Sequence, residues 1–368
     1  MNAITDLARA LPASADVPAT PLFGLPGQTP HERVLLVTDA ASGLKAIVAV
    51  HSTARGPAFG GCRLWHYADD LAALTDALRL AQGMSFKNAL AGLPFGGGKA
   101  VIVRPEGSFD RESLFAAFGR AVQSLGGRYI TAEDVGTTTD DMRVVRRETP
   151  HVSGLPRDGG AFGGDPSPKT AWGVFVAIDA ALREHLDRVS VEGATVAVQG
   201  LGAVGMHLAA HLHAAGAKLV VADVNAARVD EAVTRFGATA LSPEAIVAAD
   251  VDVLAPCALG AVLNALSVPR VRAKIVCGAA NNQLAQPEDG DALHARGVLY
   301  LPDYLVNAGG IVSVAREHLG QGDEQSVMRE VSTIGERVVE LLERVRREGR
   351  APGRVADDWA RERLASRL

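Results

Sequence analysis

Lys87 and Lys99 stand twelve positions apart in MSFKNALAGLPFGGGKAVIV (84–103), each among apolar residues and glycines. A lysine is rarely buried unless it is paired or used. Such a setting suits an ammonium that meets a small anionic or carbonyl substrate. The three glycines before Lys99 omit side-chain bulk, so a ligand can approach the backbone closely. Two plainer readings compete. A tight glycine turn with a snorkelling lysine accounts for one lysine, less readily for two. A phosphate-binding P-loop needs Gly, four residues, then Gly-Lys-Ser/Thr. Leu93 and Ala100 occupy the first and last of those positions.

A third chemical group is Asp134 in TAEDVGTTTDD, just past a β-rich run, where active-site loops commonly begin. A carboxylate there can exchange a proton with a bound group. The plainer role is a helix N-cap, given the Val-Gly-Thr-Thr that follows.

The second half carries GLGAVG: Gly200, Leu201, Gly202, Ala203, Val204 and Gly205. It follows the β-branched run TVAVQ and opens an amphipathic helix, the context that gives this pattern meaning. Gly200 permits the tight turn, Gly202 lets the backbone approach a pyrophosphate, and Gly205 lets helix and sheet pack closely. The helix start offers N–H groups and a partial positive charge to phosphate. Asp223 ends the next strand, 21 residues beyond Gly202. A carboxylate there accepts hydrogen bonds from ribose hydroxyls and repels a 2′-phosphate, which favours NAD over NADP. The competing reading is a glycine-rich turn with no ligand. An NAD site by itself says hydride transfer and no more.

These groups need elements to hold them. Residues 32–38 and 44–51 read as a hairpin around Ser-Gly. DDLAALTDALRLAQGMSFKNAL has helical apolar spacing, KAVIV reads as a buried strand, RESLFAAFGRAVQSL as an amphipathic helix and RYITAED as a strand. HVSGLPRDGGAFGGDPSPK (151–169) is rich in Gly and Pro and reads as a linker or loop. Beyond it, TVAVQG, KLVVADV, DVDVLAP, AKIVCGA and GVLYLP are strands, the first two each followed by a helix, which implies a parallel sheet with crossover helices. From Glu324 onward the chain is helical and highly charged. The expected fold is therefore α/β in two domains. Residues 1–150 form a substrate, catalytic and oligomerisation domain, joined by C-terminal helices 324–368 packing back on it. Residues 155–320 form a doubly wound Rossmann domain.

The 368 residues accommodate two domains of ~150 residues each. With a net charge of −5 and no Lys/Arg block, nucleic acid and anionic membranes are poor partners. No apolar run reaches the ~20 residues of a membrane span. The first 24 residues lack the basic start and apolar core of a signal peptide, so a cytoplasmic protein is expected. Cys62, Cys257 and Cys277 have no metal-ligand spacing and read as free thiols. No metal site is expected. His207 and His211 share a helical face and read as surface or packing residues.

GPAFGGCR (56–63), MSFKNALAGLPFGGGKAVI (84–102), RYITAEDVGT (128–137), GDPSPKTAWGV (164–174), GLGAVG, APCALG (255–260), GAANNQL (278–284) and PDYLVNAGGI (302–311) together resemble the Glu/Leu/Phe/Val dehydrogenase family, and its leucine and valine branch most. The resemblance implies roles for matching positions. Lys99 is the catalytic lysine, acting on the water and carbonyl. Lys87 holds the substrate α-carboxylate, and Asp134 exchanges the proton with the amino group. Gly60 and Gly61 belong to the substrate site. Asn282 and Asn307 line substrate and nicotinamide, and Thr170 meets the cofactor carboxamide. A water-activating lysine needs a pKa near working pH, which burial and a cationic neighbour supply. On this reading Lys99 is the lowered lysine and Lys87 stays charged.

Glutamate dehydrogenases of the family carry a lysine in GP-x-K-GG for the side-chain carboxylate; Phe59 stands there in this chain. A buried side-chain carboxylate left unpaired costs several kcal/mol, so glutamate is disfavoured. Ala132, Ile311 and Val314 match further pocket positions, all apolar. Leucine, isoleucine and valine differ by single methylenes, worth only ~1–3 kcal/mol, so their use should overlap. Phenylalanine is the alternative, since Phe59 could stack on an aromatic ring. Other classes are a non-catalytic NAD-binding regulator and a 2-hydroxy acid dehydrogenase, which would need a His and Arg pair. The expected partners are an amino acid, ammonia and further copies of the chain. Cys62, where the family often has threonine, has no evident meaning in the sequence.

Overall fold

A computed structural model describes residues 30–155, 165–258 and 260–366. The first 29 residues, residues 156–164 of the Gly/Pro segment, Leu259 and the last two residues lie outside these residues.

The first sheet holds β1 (Arg33–Asp39), β2 (Leu44–Ser52), β3 (Ala58–Phe59), β4 (Cys62–Trp65), β5 (Gly96–Val103) and β6 (Tyr129–Ile130). Its order is β1-β2-β5-β3-β6, with β4 also paired to β5. The hairpin β1–β2 is antiparallel and leaves β1 at the edge. Helix α1 (Asp70–Leu90) covers one face; α2 (Arg111–Ser124) and α3 (Thr139–Glu148) cover the other. Because strand side chains alternate, Lys99 and Val101 of β5 face α1 while Ala100 and Ile102 face α2. Val101 accordingly packs with Ala73, Ala77, Leu78 and Ala81.

The three glycines before Lys99 are strand residues of β5, not a turn. A Cβ on Gly97 would lie 2.0 Å from the backbone nitrogen of Ser85. Glycine here lets the last turns of α1 lie against the strand, and that close approach brings Lys87 to the side of the sheet from which Lys99 projects. Asn88 secures it, its amide donating to the Gly96 carbonyl at 2.5 Å.

Helix α4 (Ser167–Leu186) leads to the second half. There β7 (Thr195–Gln199), α5 (Ala203–Ala214), β8 (Lys218–Ala222), α6 (Ala226–Phe236), β9 (Thr239–Ala240), β10 (Val253–Pro256), β11 (Ile275–Val276), α7 (Pro287–Ala295) and β12 (Leu299–Tyr300) follow. All pairs are parallel, in the order β12-β11-β10-β7-β8-β9. Counted from β7, this is the doubly wound order 3-2-1-4-5-6, whose reversal point falls between β7 and β10.

Helices α8 (Asp303–Val306), α9 (Gly309–Leu319), α10 (Glu324–Ser332), α11 (Ile334–Glu348) and α12 (Pro352–Ala365) complete the chain. The return of the C-terminus onto the first half is made by α12, which packs on α1. Arg55 reaches into it, donating to the Arg363 carbonyl at 2.8 Å. Helix α11 packs chiefly on α4 instead. No helix among the described residues is long and apolar enough to cross a membrane. His211 packs its ring 5.2 Å from Trp172, and no group of three metal-ligating side chains occurs among the described residues.

Candidate active site

Lys99 is almost fully buried, and its Nζ lies 3.0 Å from Oδ2 of Asp134. Asp134 follows β6 but caps no helix: α3 begins later, capped by Thr138 in a reciprocal box with Asp141. Its carboxylate is thus free to turn inward. A residue that no sequence motif singles out meets it there. Arg63 of β4 places Nε 3.1 Å from the same Oδ2 and a terminal nitrogen 2.9 Å from Asp76 Oδ2. The Tyr67 hydroxyl donates to Asp76 at 2.6 Å. Burial pushes the Asp134 carboxyl up, but the Lys99 and Arg63 cations outweigh it and hold its pKa at about 2. Asp134 is therefore an anion at any ordinary pH.

Lys87, in the last turn of α1, reaches across to the second half. Its Nζ donates to Asn281 Oδ1 at 3.2 Å. That oxygen also accepts from Asn307 at 2.9 Å, and Asn307 donates to the Ala279 carbonyl at 2.9 Å as well. The residue of the Asn-Asn pair that meets Lys87 is Asn281, to which the sequence reading gave no role. Asn282 has a positive φ of 51°, and its backbone N–H is held by the Asp303 carboxylate at 2.8 Å. Asn282 borders a cavity of about 610 Å³ between α1, α7, α8 and α12.

Burial, opposed by Asp303 and aided by Lys99, lowers the Lys87 pKa to about 8. A bound carboxylate restores the charge by direct pairing. Lys99 has the Asp134 carboxylate as its partner.

Phe59 is fully buried, its ring 4.8 Å from Phe95 and 5.5 Å from His318. Ile311, Val314 and His318 follow helical spacing along α9, and Phe59, Ala132, Ile311 and Val314 belong to one apolar cluster. Sequence patterns do not single out Phe95 or His318. Phe95 lies four residues before Lys99, and that nearness was the one available signal. Gly60 and Gly61 join β3 to β4; their carbonyls accept from the Tyr129 hydroxyl at 2.6 Å and the Ala100 N–H at 3.2 Å.

At the reversal point of the second sheet, Gly200 has φ of 98°, and a Cβ on Gly205 would lie 1.9 Å from the Gly200 carbonyl oxygen. By contrast a Cβ on Gly202 would meet nothing within 4 Å, and no side chain caps α5 there. Open space thus lies beside Gly202, at the helix start. The fit to a dinucleotide is good, since the turn is closed where the chain packs and open where phosphate would approach. Asp223 follows β8, with Oδ2 accepting from Leu201 N–H at 2.6 Å and Oδ1 from Asn225 N–H at 2.8 Å. Asn307 Oδ1 is buried without a hydrogen-bond partner among the described residues, an acceptor suited to an amide N–H. Thr170, whose hydroxyl bonds the Pro166 carbonyl at 3.1 Å, stands against Gly310 two residues into α9.

A doubly wound sheet with a glycine turn, joined through the Lys87–Asn281 hydrogen bond to a lysine–carboxylate cluster on a second sheet, has the layout of a nicotinamide-dependent dehydrogenase. The chain belongs to the Glu/Leu/Phe/Val dehydrogenase family. A family model described as its dimerisation domain matches residues 31–151, and one described as Glutamate/Leucine/Phenylalanine/Valine dehydrogenase matches 159–232 and 221–348. It is thus an amino acid dehydrogenase, acting on a CH–NH2 group. The chain is 47% identical over 336 residues to leucine dehydrogenase of Bacillus cereus, covering 91% of each. Against valine dehydrogenase of Streptomyces coelicolor it is 47% identical over 345 residues, covering 91% of this chain and 92% of the other. The crystal structure of L-tryptophan dehydrogenase from Nostoc punctiforme superposes with a TM-score of 0.76 at 40% identity, covering 91% of this chain and 96% of that one.

Proposed function

We propose that the chain catalyses NAD-dependent oxidative deamination of L-leucine, L-valine and L-isoleucine to their 2-oxo acids and ammonia, and the reverse reductive amination. The observation that carries this reading is Phe59, packed with Phe95 in an apolar cluster beside Ala132, Ile311 and Val314. A substrate side chain in that setting must be apolar.

In this reading Lys87 pairs with the α-carboxylate. Asp134 accepts a proton from the amino group, so that the nitrogen lone pair can form the C=N bond. Bound at the Gly200–Gly205 turn, NAD supplies the hydride acceptor. Lys99 activates the water that adds to Cα of the iminium ion, and Asp134 returns a proton as ammonia leaves. Asn281 and Asn307 connect Lys87 to the cofactor side. Residues 1–150, with α12 packed on α1, act as the catalytic and oligomerisation domain, and 155–320 as the cofactor domain. The dimerisation description of the family model and the edge strand β1 support a homo-oligomer. Asp223 supports NAD, since a 2′-phosphate would meet its carboxylate.

Initial rates of NADH formation with leucine, valine, isoleucine, phenylalanine and glutamate, with NAD and with NADP, test the reading. The three branched substrates with NAD should lead. Glutamate should trail by about 10²-fold or more, from an unpaired buried charge. Phenylalanine ahead of all three would favour the second reading, in which the Phe59 and Phe95 rings stack on an aromatic substrate.

The pH dependence of anchoring follows from Lys87. Below about 8 its ammonium is present to hold a carboxylate; above it the charge is lost. The KM for the 2-oxo acid should therefore climb as pH rises through 8 and beyond, approaching tenfold per pH unit. Lys87→Arg, charged throughout, should flatten that climb. A KM that climbs identically in both proteins would remove Lys87 as its cause.

A further inference from the structure

We propose that Arg63 is a positioning residue for the reaction: its guanidinium, forked between Asp134 and Asp76, holds Oδ2 of Asp134 so that Oδ1 faces the substrate's amino group. This inference rests on Asp134 as the proton-exchanging carboxylate. At that oxygen an N–H bond of the substrate ammonium breaks, its electron pair stays on nitrogen, and the proton forms the Oδ1–H bond.

Charge balance alone does not call for Arg63. Lys99 already neutralises Asp134 at 3.0 Å, and Arg63 brings its own counterion in Asp76 at 2.9 Å. What Arg63 adds is direction. Both cations bear on Oδ2, Lys99 from β5 and Arg63 from β4. A planar guanidinium spans two carboxylates in a set geometry, which a lysine ammonium cannot do. The far end is also held, because Tyr67 donates to the same Asp76 oxygen that Arg63 contacts. The chain Tyr67–Asp76–Arg63–Asp134–Lys99 thus ties α1 to two strands and the loop after β6. Arg63 also keeps a cation on Asp134 if Lys99 changes protonation during turnover.

The groups facing Asp134 are Lys99 from β5, Lys87 from α1, Arg63 and Cys62 from β4, and Tyr129 from β6. Burial pushes the Cys62 thiol and Tyr129 phenol well above their ordinary range, so both stay neutral. Lys87 changes charge only near 8. An acid limb well below that pH therefore reports Asp134. Removing a neighbouring cation raises a carboxylate's pKa by about one to three pH units.

The test is the pH profile of kcat/KM for reductive amination of the 2-oxo acid, with NADH affinity measured by fluorescence titration. Wild-type enzyme should show no Asp134 limb above about pH 4. Arg63→Gln should bring an acid limb into the measured range and lower kcat about tenfold or more, with NADH affinity unchanged. Arg63→Lys, which keeps the charge but not the fork, should leave the limb near its wild-type place and still lose kcat. A profile of wild-type shape in Arg63→Gln, whatever its amplitude, overturns the proposal. If Arg63→Gln does not fold, Asp76→Asn decides: it releases the fork and should lower kcat with KM kept, and a wild-type kcat overturns the proposal. Asp134→Asn separates the two ideas. Wild-type turnover in that variant removes the assignment of Asp134 itself; an inactive Asp134→Asn beside an unmoved Arg63→Gln profile removes only the role of Arg63.

Discussion

Lys99→Ala lowers kcat by about 10²–10⁴-fold, the usual contribution of one positioned acid–base group, while NADH affinity stays near wild type. The separation follows from placement. Lys99 projects from β5 in the first sheet, whereas the glycine turn and Asn307 belong to the second half. The fold should survive, because Asp134 keeps Arg63 as a buried cationic partner at 3.1 Å. Steady-state kinetics beside fluorescence titration of NADH check this. Turnover of wild-type size in Lys99→Ala would falsify the catalytic assignment, and a parallel loss of NADH affinity would point to a collapsed cleft instead.

Asp134→Asn has the second large effect, and it differs in kind. The amide is nearly isosteric but cannot accept a proton from an ammonium group, so kcat again falls by about 10²–10⁴-fold. Here stability suffers too. Lys99 and Arg63 lose the carboxylate they share, and breaking a buried pair costs about 3–5 kcal/mol because a charge is left without compensation. Asp76 still serves Arg63, so the lower end of that range applies. Denaturant midpoints should therefore rank wild type above Lys99→Ala above Asp134→Asn. An Asp134→Asn protein as stable as wild type would mean that the two cations find water or other partners.

Much of the molecule is legible in the order of its residues. The hairpin, α1, the strand of Lys99 and the alternation after residue 190 follow from local periodicity, and each occurs where expected. The glycine turn is legible because its three glycines and the flanking strand and helix lie within one stretch of chain. Phe59 is legible as apolar because residue type alone excludes a charge partner at its position. Other features are hidden, and for one reason. Arg63 meets Asp134 across 71 residues of chain, and Lys87 meets Asn281 across 194. No spacing rule reaches that far. Two adjacent asparagines are equivalent in sequence, and only the fold brings Asn281 to Lys87.

The paired lysines show where the boundary falls. By itself the sequence set two lysines among glycines, an aspartate past a strand, and a glycine turn opening a helix on a parallel sheet; the family resemblance added that they serve one apolar site. Residue type, local period and shared motifs are enough for those readings. Tertiary structure alone decided that burial lowers the Lys87 pKa, what the three glycines are for, and that Lys99 and Arg63 bear on one oxygen of Asp134. Those outcomes depend on burial and on charges brought together from distant parts of the chain. Coulomb energy and desolvation respond to distance in space, to which distance in sequence is no guide.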